Sequence, residues 1–303
     1  MVLPMTNDQD YADKLHAEAA HWGSISLEQA ETTPPDWTYH RRLRHNRLIH
    51  GATIDALLDQ IQPGMRALEL GCASGWLTLA MAQRGANATG VELSEDSLAV
   101  ARGYYARVRG QVAGSVTYQQ ADVNTIELEP DAWDVIAVKG TLHHLVNVQH
   151  VIEQIAQGLK PGGLLWVDDS EGDEHIRSVL AAGALCFVLP THTSYRDKLR
   201  ALLRFGAAAP SRVRASIQAE GLSPFEGISR EQSWRQLIAG RFILERVVPH
   251  PSFTGYVSAQ VRLPDRVALP ILYLIRAVDR VLTRLGIVRN TGWILFARKP
   301  AAS

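Results

Sequence analysis

Apolar positions along the chain follow two spacings in alternation. From Thr53 to Ile61 they recur at helical intervals, and the run stops at Pro63-Gly64, a pair that cannot continue a helix. Met65 to Leu70 is a short apolar run and predicts a buried strand. The same reading predicts a helix over Trp76 to Gln83 ending at Gly85, a strand over Ala88 to Glu92, a helix over Asp96 to Val108, and strands over Val116 to Gln120 and Asp134 to Val138. A helix over Val148 to Leu159 and a strand over Leu164 to Asp168, after Pro161-Gly162-Gly163, complete the series. Near-continuous apolar strands separated by helices predict βαβ units. The expected fold is therefore α/β, a doubly wound and mostly parallel sheet covered on both faces.

Past residue 170 the rhythm changes. Residues 172–227 are poor in strand signals and rich in arginine, with breaks at Gly183-Ala184-Leu185 and Ala207-Ala208-Ala209-Pro210. Ser229-Arg-Glu-Gln232 matches a capping box, and Gly240 falls where a helix C-terminus favours positive φ. Phe242 to Val248 predicts a strand and Trp293 to Arg298 the last one. Between them lies an amphipathic helix from Arg266 to Leu285, with Ile271, Leu274, Ile275, Val278, Leu282 and Leu285 on one face. The chain thus divides into an N-terminal helical cap (1–50), a sheet core (51–171 and 228–300) and two insertions (172–227 and 252–290) expected to fold as a lid over the ligand edge. Arg276, Arg280 and Arg284 opposite the apolar stripe suit a lid or homodimer face and leave association with a membrane surface open.

Composition narrows the partners. At 303 residues, 46% hydrophobic and 20% charged, the chain can bury a large core as one decorated domain. Lysine plus arginine and aspartate plus glutamate both number 31, so no overall basic field recruits nucleic acid. The start MVLPMTNDQDYADKLHAE lacks a charged segment followed by an apolar one, and no apolar run reaches the ~18 residues of a membrane span, so a cytoplasmic protein is expected. Cys72 and Cys186 are too few for a disulfide framework and have no ligand at metal spacing; no metal is expected.

Leu68-Glu-Leu-Gly-Cys-Ala-Ser-Gly75 joins the first predicted strand to a helix through two glycines. A dinucleotide fingerprint would place further glycines at 73 and 76, where Ala73 and Trp76 stand, and a P-loop would need a Gly-Lys-Ser/Thr that is missing. The loop is built for a small ligand without a phosphate. Its sequence resembles the first motif of class I S-adenosyl-L-methionine-dependent methyltransferases, E/D-x-G-x-G-x-G, here Glu69-Leu-Gly71-Cys-Ala73-Ser-Gly75 with alanine at the middle glycine. Three further stretches follow in the family's order. Glu92-Leu93 closes the second strand, where the family's acid takes both ribose hydroxyls; Asp122-Val123 follows the third, where it accepts from the adenine amine; and Lys139 with His143 and His144 follows the fourth, in the substrate-facing loop.

That resemblance implies a Rossmann-like seven-stranded sheet whose last strand is antiparallel, S-adenosyl-L-methionine as cofactor, and methyl transfer to a hydroxyl of a small-molecule or glycan acceptor. Cofactor contacts are expected from Glu69, Gly71, Ala73, Gly75, Glu92, Leu93, Asp122, Val123 and Lys139. His143, with His144 as alternate, is the expected general base, since an unperturbed imidazole accepts a proton near neutral pH. Trp37-Thr-Tyr-His40, Asn46-Arg-Leu-Ile-His50-Gly51 and Ser223-Pro-Phe-Glu226-Gly-Ile-Ser229 further resemble methyltransferases of glycan and polysaccharide assembly, which implies a sugar or polyol hydroxyl. An aromatic or polyketide-like acceptor, or a non-catalytic binding protein on the same fold, are the alternatives. Metal-dependent catechol methylation is disfavoured despite the acidic Asp168-Asp169-Ser-Glu171-Gly-Asp173-Glu174, because the position that supplies a ligand after the fourth strand is near Lys139. Arg41-Arg-Leu-Arg44-His-Asn-Arg47 reads as a solvated helix face, and Cys72 as a packing residue.

Overall fold

The computed structural model describes residues 8–32, 43–171, 176–205, 224–225 and 233–301. A seven-stranded sheet forms the centre, in the order β3-β2-β1-β4-β5-β7-β6. Its strands are β1 (Arg66–Leu70), β2 (Asn87–Glu92), β3 (Ser115–Gln120), β4 (Trp133–Lys139), β5 (Leu159–Ser170), β6 (Ile243–Pro249) and β7 (Gly292–Arg298). β1 to β5 pair in parallel, and β7 enters antiparallel between β5 and β6, as expected of the last strand.

Alternation along the central strands splits the core in two. Leu68, Leu70, Ile136, Val138, Leu165, Val167, Leu295 and Ala297 face one way, where α6 (Val148–Gly158) and α9 (Trp234–Ala239) cover them with Val151, Ile152, Ile155, Trp234 and Ile238. Val135, Ala137, Leu164, Trp166, Ile294 and Phe296 face the other way, under α3 (Gly51–Leu58) and α4 (Trp76–Gln83). Each large side chain so enclosed contributes roughly 1.5–3 kcal/mol, which makes the alternation binding on register. The remaining core helix, α5 (Glu95–Val108), starts at Ser94, whose side chain accepts from the Ser97 amide. Across it lies α1 (Asp8–Thr32). Gly23 permits the crossing, because a Cβ there would stand 2.8 Å from Ser94 Oγ, and Ser26 Oγ meets Ser97 Oγ at 2.8 Å.

A third apolar cluster is built by α2 (Arg44–Ile49), α7 (Ile176–Val188), α10 (Thr254–Gln260) and α11 (Asp265–Arg284), through Leu48, Ala182, Phe253, Val257, Leu272 and Ile275. Helix α8 (Tyr195–Phe205) adjoins it, Lys198 Nζ donating to Leu189 O at 2.7 Å. Two local expectations change here. The buried stripe of α11 is Ala268, Leu272, Ile275 and Asp279, whereas Leu274 and Leu285 are 68% and 67% exposed, so the face is rotated from the one periodicity selected. Gly240 closes α9 with φ −76°, an ordinary helical value, and α9 is capped by Ser233; the capping box at 229–232 lies outside the described residues. Arg44 is also more than a solvated face: its guanidinium donates to Val261 O, Leu263 O and Asp265, tying α2 to the second insertion.

The rotation of α11 has a polar cause. Asp279 is fully buried and accepts from the amides of Ser252, Phe253 and Thr254 and from the hydroxyls of Thr254 and Thr283. One carboxylate on α11 thereby satisfies the amides at the start of α10, which have no partner within their own helix. Replacing one oxygen by an amide group points donors at donors. Asp279→Asn is therefore expected to destabilise this body by about 2–4 kcal/mol, read as a lower urea midpoint and as faster amide exchange in 252–260; an unchanged midpoint and exchange would refute the cap.

Candidate active site

The carboxyl ends of β1, β2, β3 and β4 open onto one cavity, lined by Gly71, Ala73, Glu92, Leu93, Asp122, Val123, Asn124, Lys139, Gly140, Thr141, His144 and Leu145 and covered by Leu15, Glu18 and Trp22 of α1 with Phe225. Among the expected cofactor residues, Gly71, Ala73, Glu92, Leu93, Asp122, Val123 and Lys139 reach this lining, and Glu69 and Gly75 do not. Gly75 acts through its backbone. It has φ 71°, and a Cβ would lie 2.4 Å from Tyr118 Oη. Gly71 has φ 73° with Thr141 Oγ1 2.2 Å from the site of a Cβ, so both ends of the loop require glycine. Ala73, at the family's middle glycine, still takes φ 44° and accepts the strain of a left-handed alanine.

Glu69 is buried beneath this loop, its carboxylate receiving the Thr78 amide at 2.7 Å and the Thr78 hydroxyl. It holds α4 against the loop. Burial pushes its pKa up to about 8. Cys72 is buried beside it, and burial raises the thiol well above its ordinary value, as suits a packing residue.

Glu92 meets the cavity with both oxygens anchored, one by Ala73 N and the other by Ser94 N, each at 2.9 Å. Burial raises its pKa as well. Each oxygen keeps a second lone pair for a neighbouring pair of hydroxyls. Asp122 holds Asn124 N at 2.9 Å through one oxygen and receives the Tyr11 hydroxyl of α1 on the other. Asn124 in turn accepts from Val146 N and Asn147 N at 2.8 and 3.1 Å, which joins the loops after β3 and β4. Tyr11, Glu18 and Asn124 escaped the sequence reading: α1 has no strong periodicity, and an asparagine after an acidic turn is locally unremarkable.

The two candidate bases divide their surroundings. His144 lines the cavity, with Glu18 3.4 Å from its Nδ1 and Trp22 edge-on at 5.4 Å. His143 is outside the lining, and its Nδ1 is 2.5 Å from Asp169 Oδ1. Asp169 is the centre of this loop, accepting from Thr141 N at 2.8 Å, Leu142 N at 2.6 Å and Ser170 N at 2.7 Å as well. On the opposite face of β5, Asp168 lies against His50 Nδ1 at 2.6 Å and His250 Nε2 at 2.8 Å. Burial opposes ionisation of Asp168, but the Lys139 ammonium and then His50 outweigh it and hold the carboxyl well below its usual range. For His50, burial followed by the Lys139 charge brings the pKa down to about 4.

The expected lid is divided among the described residues. Cover over the cavity comes from α1 and Phe225, whereas the 252–290 insertion contributes no lining residue and packs on α2. Trp37 to His40 lies outside the described residues.

A family model described as a methyltransferase domain matches residues 68–167, the strands and loops that form this cavity. A ubiquinone biosynthesis O-methyltransferase of Bordetella avium is 30% identical over 224 residues, covering 72% of this chain and 81% of that protein. The chain belongs to the class I S-adenosylmethionine-dependent methyltransferases. A second relative with the same name, from Idiomarina loihiensis, is 36% identical over 104 residues, 34% of this chain and 41% of that protein, so there the match spans less than half of the relative. In fold, the enzyme resembles a chain of a Haloferax volcanii complex between a methyltransferase activator and a methyltransferase, with TM-score 0.52, 13% identity, and 93% and 98% of the two chains covered. These relatives carry a ubiquinone name and not a glycan-assembly one.

S-adenosylmethionine suits this cavity on its own chemistry. The loop is cradled by glycines that a Cβ would fill, carboxylates stand at the ends of β2 and β3 for hydroxyl and amine donors, and the phosphate-binding features of related sheets are missing. Two outcomes follow for the methyltransferase. Glu92→Ala should weaken S-adenosylhomocysteine binding about 10–100-fold in calorimetry, as expected for losing a charged acceptor to two hydroxyls; unchanged affinity would remove Glu92 from the ribose site. Glu69, whose folded pKa of about 8 exceeds its usual 4.5, destabilises the fold progressively as pH rises from 4.5 to 8. Glu69→Gln cannot ionise, so its stability relative to wild type should grow by ~4 kcal/mol between pH 5 and pH 9; a difference independent of pH would mean Glu69 is ionised throughout.

Proposed function

We propose that the enzyme methylates a hydroxyl oxygen of an aromatic small molecule, with the histidine pair after β4 receiving the proton. The observation that carries this reading is the Asp169–His143 pair packed beside His144, which lines the cofactor cavity. A carboxylate on Nδ1 fixes one tautomer and directs the other ring nitrogen to act as acceptor. The ring centroids of His143 and His144 lie 3.9 Å apart with the planes tilted by 44°, so each imidazole packs on the other.

When bound, the cofactor supplies a sulfonium methyl that is already electrophilic, so the protein's part is alignment, exclusion of water and removal of one proton. Leu15, Trp22 and Phe225 supply the dry cover, Glu92 and Asp122 hold the nucleoside end, and Lys139 borders the acceptor end. The names of the relatives favour an aromatic hydroxyl as acceptor. A sugar or polyol hydroxyl is the second reading, supported by the hydrogen-bonding groups around Asp168 and by the resemblance at Asn46 to Gly51.

Catechol-bearing benzoates set against methyl glycosides, with product oxygens assigned by NMR, separate the two. Phenol ethers are the expected product, and sugar ethers alone would favour the second reading. With the productive acceptor, His143→Ala and His144→Ala should keep S-adenosylhomocysteine affinity within a few-fold. The variant that removes the base should lose roughly 100- to 10,000-fold in kcat together with the rise of rate with pH through the imidazole range. Wild-type turnover in both would place the base elsewhere.

A further inference from the structure

The geometry points to a divalent transition-metal site formed by His50, Asp168 and His250. The three come from the turn between α2 and α3, the end of β5 and the residue after β6, and each offers one donor atom within 4.8 Å of the others. Two imidazole nitrogens and one carboxylate oxygen form the donor set that holds zinc or another borderline divalent ion with positions left open.

The contact between His50 and Asp168 carries the argument. Nδ1 and Oδ2 are 2.6 Å apart, yet neither atom has a partner at hydrogen-bonding angles, and both are shut off from solvent. Unpaired polar atoms in a buried place are costly, and two of them side by side call for a third body toward which both lone pairs can turn. His250 completes the set from the other side, 2.8 Å from the second oxygen of the same carboxylate.

The scaffold around these donors is rigid. His50 O accepts from Thr53 N, Thr53 Oγ1 and Ile54 N, and His250 N donates to Gly292 O at 2.9 Å. Gly292 also makes room for the imidazole, because a Cβ there would lie 2.7 Å from His250 Nδ1. Lys139 pairs with Asp168 in the β4–β5 register and also lines the cofactor cavity, which puts the cluster one strand away from that cavity's lining. An ion here would act on the acceptor's oxygen only across Lys139, the residue that the cluster shares with the cofactor cavity. That role rests on the methyl-transfer reading, whereas occupancy by the ion does not. The rival explanation is Lys139, whose ammonium favours the charged form of Asp168 without an ion.

Metal binding to the tag-free, full-length protein distinguishes the two without any turnover. Stripped with chelator and titrated with cobalt(II) chloride, the wild type should take up one equivalent with visible d–d absorption and release it to zinc. His50→Gln and His250→Gln should each weaken cobalt binding at least about 100-fold. His150→Gln, which alters a histidine bonded to Ile126 O elsewhere, should bind as wild type. Retained S-adenosylhomocysteine affinity in both site variants establishes that they are folded. If the wild type takes up no cobalt at 100-micromolar-scale concentration, or if both site variants bind like wild type, the site is not a metal centre and Lys139 is the partner of Asp168.

Discussion

Two adjacent carboxylates at the end of β5 cannot share a face, because successive residues of a strand point to opposite sides of the sheet. Asp169 turns toward the α6 side and gathers Thr141 N, Leu142 N, Ser170 N and His143. Asp168 turns toward the α3 side and gathers His50 and His250. The loop after β4 is therefore shaped by one carboxylate, and the junction of the N-terminal segment with β6 by the other. Both are buried, and the β4 loop with Ser170 N satisfies Asp169, whereas Asp168 keeps one oxygen against His50 Nδ1 without a hydrogen bond.

At the cofactor end the constraint is steric. Thr141 and Tyr118 stand where side chains at Gly71 and Gly75 would go, and this brings the β4 loop and β3 down onto the first loop. Glu69 and Glu92 then hold that loop from below and from the side. Closure comes from α1, which contributes Tyr11 to Asp122 and Glu18 to a group that includes Trp22, His144 and Phe225 N. An N-terminal helix thus reaches both Asp122 and the candidate base His144.

The second insertion obeys a different logic. Its helices assemble with α2 around their own apolar cluster, and Asp279 decides which face of α11 is buried, because a carboxylate with five donors must lie inside. Leu274, Val278 and Val281 are consequently left at the surface. Among the described residues, no helix is long and apolar enough to cross a membrane.

The order of strands and helices was legible from local periodicity and the acids at the ends of β2 and β3 from short motifs, whereas the antiparallel last strand was implied by the family resemblance alone. Periodicity failed at α11, where hydrophobicity alone cannot weigh one buried aspartate against several leucines. The cover supplied by α1, the bridging role of Asn124 and the different surroundings of His143 and His144 were not legible, since each depends on contacts between distant segments. The same holds most plainly for His50, Asp168 and His250. Spacings of 118 and 82 residues carry no motif; it is the β4–β5 register, the pleat of β5 and the insertion of β7 beside it that bring three donors from separate segments to one point. Sequence by itself determined the sheet and the first loop, because short-range patterning suffices for both, and only the tertiary structure decided what stands around the loop after β4, because α1, Phe225, Asp169, His50 and His250 reach it as long-range neighbours.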